Sequence, residues 1–79
     1  MSYAWFNKAY ARSLTSNHWQ GISDFHKAIE LNPQFDQSYY NMGLTYLFLK
    51  EKDKACKNLG KAGELGYHNA WQVIDRYCK

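Results

Sequence analysis

The residues of this chain best suited to chemistry are two cysteines, three histidines and a scatter of serines and carboxylates. Cys56 and Cys78 could form a disulfide or bind zinc as thiolates. Zinc in a closed site needs four ligands. Cys56, Cys78 and His68 supply three, and the sequence offers no fourth. Neither a Cys-x-x-Cys pair nor a His/Cys ladder occurs. His18, His26 and His68 lie at no ligand spacing, and His18, opening a helix, reads as a loop or surface residue. Ser13, Ser16, Ser23 and Ser38 lack the Gly-x-Ser-x-Gly context of an activated nucleophile. Glu30 and Glu64 stand at the same place in two copies of a repeat, which marks them as surface positions rather than an acid–base pair. These side chains suggest no enzyme, and neither a metal nor another cofactor is expected.

The elements that hold these residues follow from composition and periodicity. Seventy-nine residues allow one domain, residues 1–79, with a small core. With 46% hydrophobic and 22% charged residues the chain is globular. Three Trp, seven Tyr and four Phe fill a core with few residues and leave aromatics for a surface. The net charge is +3. Lys50, Lys52, Lys54, Lys57 and Lys61 cluster, but Glu51 and Asp53 interrupt them, so they read as a solvated face. No window reaches the 18 apolar residues of a membrane span. Met1-Ser2-Tyr3-Ala4-Trp5 shows no basic segment followed by an apolar one, so a cytoplasmic location is expected.

Shifted by 34 positions, the sequence overlays itself without a gap. Asn7 meets Asn41, and Lys27, Ala28, Glu30 and Leu31 meet Lys61, Ala62, Glu64 and Leu65. Size classes agree as well: Trp5 with Tyr39, Phe6 with Tyr40, Ala9 with Gly43, Leu14 with Phe48, Gly21 with Ala55, Phe25 with Leu59. Within each copy apolar residues recur at three- and four-residue steps, as in a helix. Asn32-Pro33 should close one helix, because a residue before proline resists the α region. Asp36 can cap the next, and Gly66 suits a left-handed cap after Leu65. Five helices are predicted, near residues 3–15, 18–31, 36–49, 52–65 and 69–78.

These features resemble the tetratricopeptide repeat (TPR), a helix–turn–helix unit of 34 residues. The first copy carries Trp5, Ala9, Gly21, Phe25, Ala28 and Pro33 at the signature spacings. The second carries Tyr39, Met42, Gly43, Tyr46, Ala55, Leu59 and Ala62 and matches better. In the first copy Lys8 and Arg12 replace the usual Leu and Tyr, and Gly21 stands where Ala is usual. Ser16 and Lys50 occupy the turn glycine positions. The resemblance implies an all-α solenoid of two antiparallel hairpins, at about residues 3–34 and 37–67, with a capping helix near 69–78. The ending Leu-Gly-Tyr…Tyr-Cys is similar to that of short bacterial TPR proteins, which would make Lys79 a natural C-terminus. Small residues should let helices approach, Ala9 against Gly21 and Gly43 against Ala55. Cys56 aligns with Ile22 and reads as a small core residue. The last helix should pack on the helix carrying Cys56, which would also allow a disulfide to Cys78.

The resemblance further implies a concave, partner-binding face lined by the first helix of each hairpin. The matching positions are Tyr3, Phe6, Asn7, Tyr10 and Leu14, then Gln37, Tyr40, Asn41, Leu44 and Phe48. Each set makes one helical stripe. Asn7 and Asn41 could hydrogen-bond the backbone of an extended peptide. Some TPR domains grip a C-terminal carboxylate with a Lys/Arg/Asn clamp. Here Phe6 and Tyr10 replace its first-helix residues, and Asp75 stands where a basic residue is wanted. The expected function is therefore a non-catalytic scaffold that binds a peptide or helix through apolar anchors. Self-association as a homo-oligomer is the alternative. Nucleic-acid binding is disfavoured, because the lysines map to the opposite side from the groove aromatics.

Overall fold

The computed structural model describes residues 1–78, so Lys79, the expected C-terminus, lies outside the described residues. Five helices follow one another: α1 (Ser2–Ser13), α2 (His18–Leu31), α3 (Asp36–Phe48), α4 (Lys52–Glu64) and α5 (Asn69–Tyr77). They match the predicted helices to within two residues at each end. Helices α1 and α2 form one hairpin and α3 and α4 a second. The second stacks on the first through α2 and α3, and α5 packs on α4. The Cα extents are 33 × 27 × 15 Å. The shortest matches two helix layers about 10 Å apart. The chain is an all-α solenoid of two hairpins and a closing helix.

Each hairpin closes where a small residue removes a side chain from the helix contact. A Cβ on Gly21 would stand 3.1 Å from the carbonyl oxygen of Ala9 and 3.1 Å from the Ser13 nitrogen. One on Gly43 would stand 2.7 Å from Leu59 Cγ and 3.2 Å from the Ala55 carbonyl oxygen. Ala9, Ala28, Ala55 and Ala62 are fully buried beside them. Phe6, Ile22, Phe25, Phe35, Met42 and Tyr46 form the main core, and Leu59, Ala62 and Ala70 anchor a second cluster under α5. Buried Ser38 ties the hairpins together by donating its hydroxyl to the Phe25 carbonyl at 3.1 Å.

Helix ends follow the local chemistry. Asn32 is extended, with φ −146° and ψ 90°, as the following Pro33 requires. Gly66 has φ +108°. Tyr67 N–H donates to the Ala62 carbonyl and Gly66 N–H to that of Gly63, the two bonds of a Schellman cap. Lys50 ends α3 the same way at φ 66°, with Glu51 N–H donating to the Tyr46 carbonyl. The turn at Ser16 lacks a left-handed residue. There the hydroxyls of Ser13 and Thr15 donate to the carbonyls of Tyr10 and Arg12. Asp36 departs from expectation: Phe35 holds the cap position, and Asp36 is the first helical residue, accepting from Gln37 N–H at 2.8 Å. Its charge still favours the helix N-terminus.

A left-handed side chain costs about 1–2 kcal/mol. Lys50→Gly should therefore raise stability by about 1 kcal/mol, and a denaturant midpoint unchanged or lower would contradict that geometry.

The first copy departs from the signature at Lys8 and Arg12 for a visible reason. Their equivalents in α3, Met42 and Tyr46, are buried between the hairpins. The corresponding face of α1 is covered by no helix among the described residues. Lys8 lies over the Trp5 ring at 5.1 Å, and Arg12 reaches the buried carboxylate of Asp24 at 3.1 Å. Arg12 thus balances a charge that would be costly if buried unpaired.

The cysteines resolve as a pair. Cys56 on α4 and Cys78 after α5 form a disulfide across a Cα–Cα distance of 5.9 Å. Cys56 is half-buried and bonded, which corrects its reading as a plain core residue. Such bonds persist mainly in oxidising compartments, a point that weighs against the cytoplasmic expectation.

Candidate groove between the first helices of the two hairpins

The C-terminal halves of α1 and α3 lie side by side and leave a cleft between them. Its volume is about 470 Å³. One wall is Tyr10, Ser13 and Leu14 of α1 and its end. The other is Asn41, Leu44, Thr45 and Phe48 of α3, and Thr15 of the α1–α2 turn and His18, the first residue of α2, close the end. Helical spacing explains the walls: Tyr10, Ser13 and Leu14, like Asn41, Leu44, Thr45 and Phe48, recur every three or four residues. Leu14 is 70% exposed, Phe48 68% and Tyr10 46%. These are large apolar groups held in water by the fold.

Five of the expected site residues meet here: Tyr10, Leu14, Asn41, Leu44 and Phe48. The others lie elsewhere. Phe6 is corrected from the groove to the core. It is buried, with its ring centroid 4.8 Å from Phe35 and 5.7 Å from Phe25. Tyr3 is exposed and packs beside Phe35 at 5.6 Å. Asn7 is exposed and does not line the cleft, and the same holds for Gln37. Tyr40 is half-buried against Tyr67 from the α4–α5 turn, at 4.5 Å. Burial first, and then the neighbouring Tyr67, push its phenol above the usual 10.0, so it remains a neutral hydroxyl.

Asn41 is engaged locally. Its Nδ2 donates to the Gln37 carbonyl at 3.0 Å, and its own carbonyl accepts the Thr45 hydroxyl at 2.8 Å. Among the described residues its side-chain oxygen accepts no hydrogen bond. Asn58 makes the same i−4 contact on α4, donating to the Lys54 carbonyl at 2.8 Å. A local role for Asn41 thus stands beside any binding role.

Sequence reasoning missed His18. Its ring lies 4.5 Å from that of Phe48, and its Nδ1 is buried with no hydrogen-bond partner among the described residues. The stripes of α1 and α3 cannot reveal it, because it stands at the start of α2. The available signal was its position four residues after the exposed Leu14.

None of the lining residues is Lys, Arg, Asp or Glu. The nearest guanidinium on α1, Arg12, is held by Asp24. Of the clustered lysines, Lys52, Lys54, Lys57 and Lys61 ride on α4 and Lys50 on the turn before it, and none lines the cleft. A carboxylate clamp needs charge-assisted bonds, and this cleft has no cation to make them. Nucleic acid would want cations interleaved with the aromatics, and here the two are separated.

Among known proteins, no curated chain matches this one. Residues 25–57 match the sequence model of the tetratricopeptide repeat. That segment runs from the middle of α2, through all of α3, into the first half of α4. It holds the stacking contact between hairpins and one wall of the cleft. The match and the stacked hairpins together support assignment of this chain to the tetratricopeptide repeat family.

Proposed function

We propose that the chain is a non-catalytic docking module that seats an uncharged apolar segment of a partner protein in the cleft between α1 and α3. Tetratricopeptide repeats generally mediate protein–protein interaction. The observation that carries the finer reading is the convergence of exposed Tyr10, Leu14 and Phe48 on a cleft without formal charge. Burying a Leu or Phe side chain is worth about 1.5–3 kcal/mol. Two such anchors and the Asn41 oxygen suffice for a modest peptide affinity. The segment lies along α1 and α3, as an extended strand or a helix with anchors at three- and four-residue steps.

The test uses a random linear peptide library selected on the wild-type chain. Selected peptides should share an apolar anchor without flanking acidic requirement. Phe48→Ala with Asn41→Ala should weaken binding of the selected peptide by at least about tenfold, the scale of an interface hot spot. Both side chains lie at the surface, so helicity should hold. Unchanged affinity with intact helicity would sink the assignment. Self-association through the same apolar groups is the competing outcome. It would appear in sedimentation as a dimer that Phe48→Ala dissolves.

A further inference from the structure

We propose, building on the cleft reading above, that the Cys56–Cys78 bond is a thiol-reducible latch that holds α5 on α4 and keeps the Leu44 wall of the cleft in place.

The latch rests first on how α5 is held. Nine residues are too few for a helix to persist alone in water. At its start Ala70 is fully buried, and the Trp71 ring lies against Gly63, where a Cβ would come within 3.0 Å of its atoms. Further on, Val73 and Ile74 are half-buried, and Tyr77 is 51% exposed. At the C-terminal end the covalent bond ties the helix down. Cys78 N–H also donates to the Ile74 carbonyl at 2.8 Å, so the bonded residue closes the helix itself.

The second link runs from α5 to the cleft. Leu59, Ala62 and Ala70 form the cluster beneath α5, and Tyr40, Leu44 and Leu47 of α3 pack on it with Val73 and Ile74. Leu44 is also a wall of the cleft. One side chain therefore touches both the latched helix's core and the docking surface. Loosening α5 removes the packing behind that wall.

The third is access. Cys56 lines a surface depression of about 560 Å³ with Lys57, Gly60, Lys61 and Glu64. Gly60 leaves open space where a side chain would stand. A small thiol can enter there, and the two ammonium groups favour the thiolate form that exchange requires. One thiolate attacks a sulfur of the bond, giving a mixed disulfide and releasing the other cysteine as thiolate. A second thiolate attacks the mixed disulfide at the reagent sulfur, releasing the second cysteine and an oxidised reagent disulfide. Two thiols thus supply two electrons and two protons, and the protein ends with two cysteine thiols.

The test compares the oxidised full chain with the chain reduced by dithiothreitol, and with Cys56→Ser/Cys78→Ser without reductant. Three signals are read: amide exchange of residues 73–77, the Leu44 methyl resonances, and affinity for the library-selected peptide. Reduction should speed exchange in α5, shift the Leu44 methyls, and weaken the peptide on the order of tenfold. The serine pair should reproduce all three, and the reduced wild type stands in if that variant does not fold. Unchanged α5 exchange would overturn the latch. Faster exchange with unmoved Leu44 methyls would overturn its link to the cleft. If the oxidised chain binds no peptide, the docking reading fails, and exchange and methyl shifts still decide the latch.

Discussion

Phe25→Ala is expected to destabilise the chain by about 3–5 kcal/mol, the range for emptying a buried aromatic site. Phe25 is fully buried and meets Phe6 at a ring distance of 5.7 Å. Its carbonyl also receives the Ser38 hydroxyl that joins the hairpins. The cavity would open where the two repeats stack, and the two-layer fold has few other residues able to collapse into it. For 79 residues total stability is about 4–12 kcal/mol. The loss is then a large share of the whole, and circular dichroism should show a far lower melting point or an unfolded chain. A loss under about 1 kcal/mol would mean that the repeats do not share this core. The equivalent residue in the second copy, Leu59, is also fully buried. The same substitution there should act through the cluster under α5.

Removing the disulfide is expected to cost about 3 kcal/mol. The bond closes a sequence separation of 22 residues, and chain-entropy arguments give that scale for a loop of this length. The change acts on the unfolded state as well as on α5, so it should appear even if the native structure barely moves. Cys56→Ala/Cys78→Ala should lower the denaturant midpoint of the oxidised chain, and reductant should bring the wild type to the same midpoint. Reductant should leave the double variant unmoved. Equal midpoints for the oxidised wild type and the variant would show that α5 is held without the bond. Below about 40 residues, and often up to 80, small domains rely on such covalent ties. Two stacked repeats are one short of the usual minimum of three, so a covalent tie adds what a further repeat would supply.

Much of this architecture was legible in the sequence because the 34-residue repeat carries physical constraints. Small residues at Ala9, Gly21, Gly43 and Ala55 announce close helix pairs, and Pro33 and Gly66 announce ends. All act locally or at a fixed offset. The site was legible only in part. Tyr10, Leu14, Asn41, Leu44 and Phe48, which the resemblance put on the first-helix stripes, line the cleft. Phe6 does not, because it lies on the same stripe as Tyr3 and Tyr10 yet turns under Phe35 from the α2–α3 turn. Tyr40 is claimed in the same way by Tyr67 from the next turn. A helical wheel gives the direction of a side chain but not what a neighbouring turn lays over it. His18 enters the cleft from the start of α2, off both first-helix stripes. The disulfide was one of three open readings. Its choice depends on Cys56 and Cys78 being 5.9 Å apart at Cα, a distance set by how α5 docks.

The proposed docking place for a partner is the cleft between α1 and α3. Amide chemical-shift mapping tests it most directly, with isotope-labelled oxidised chain titrated by a peptide selected from the random library. The largest shifts are expected at Tyr10, Leu14, His18, Leu44 and Phe48, with little change at the lysine-bearing face of α4. Shifts centred on α4, or on the exposed side of α2 around Trp19, with the cleft unmoved, would contradict it.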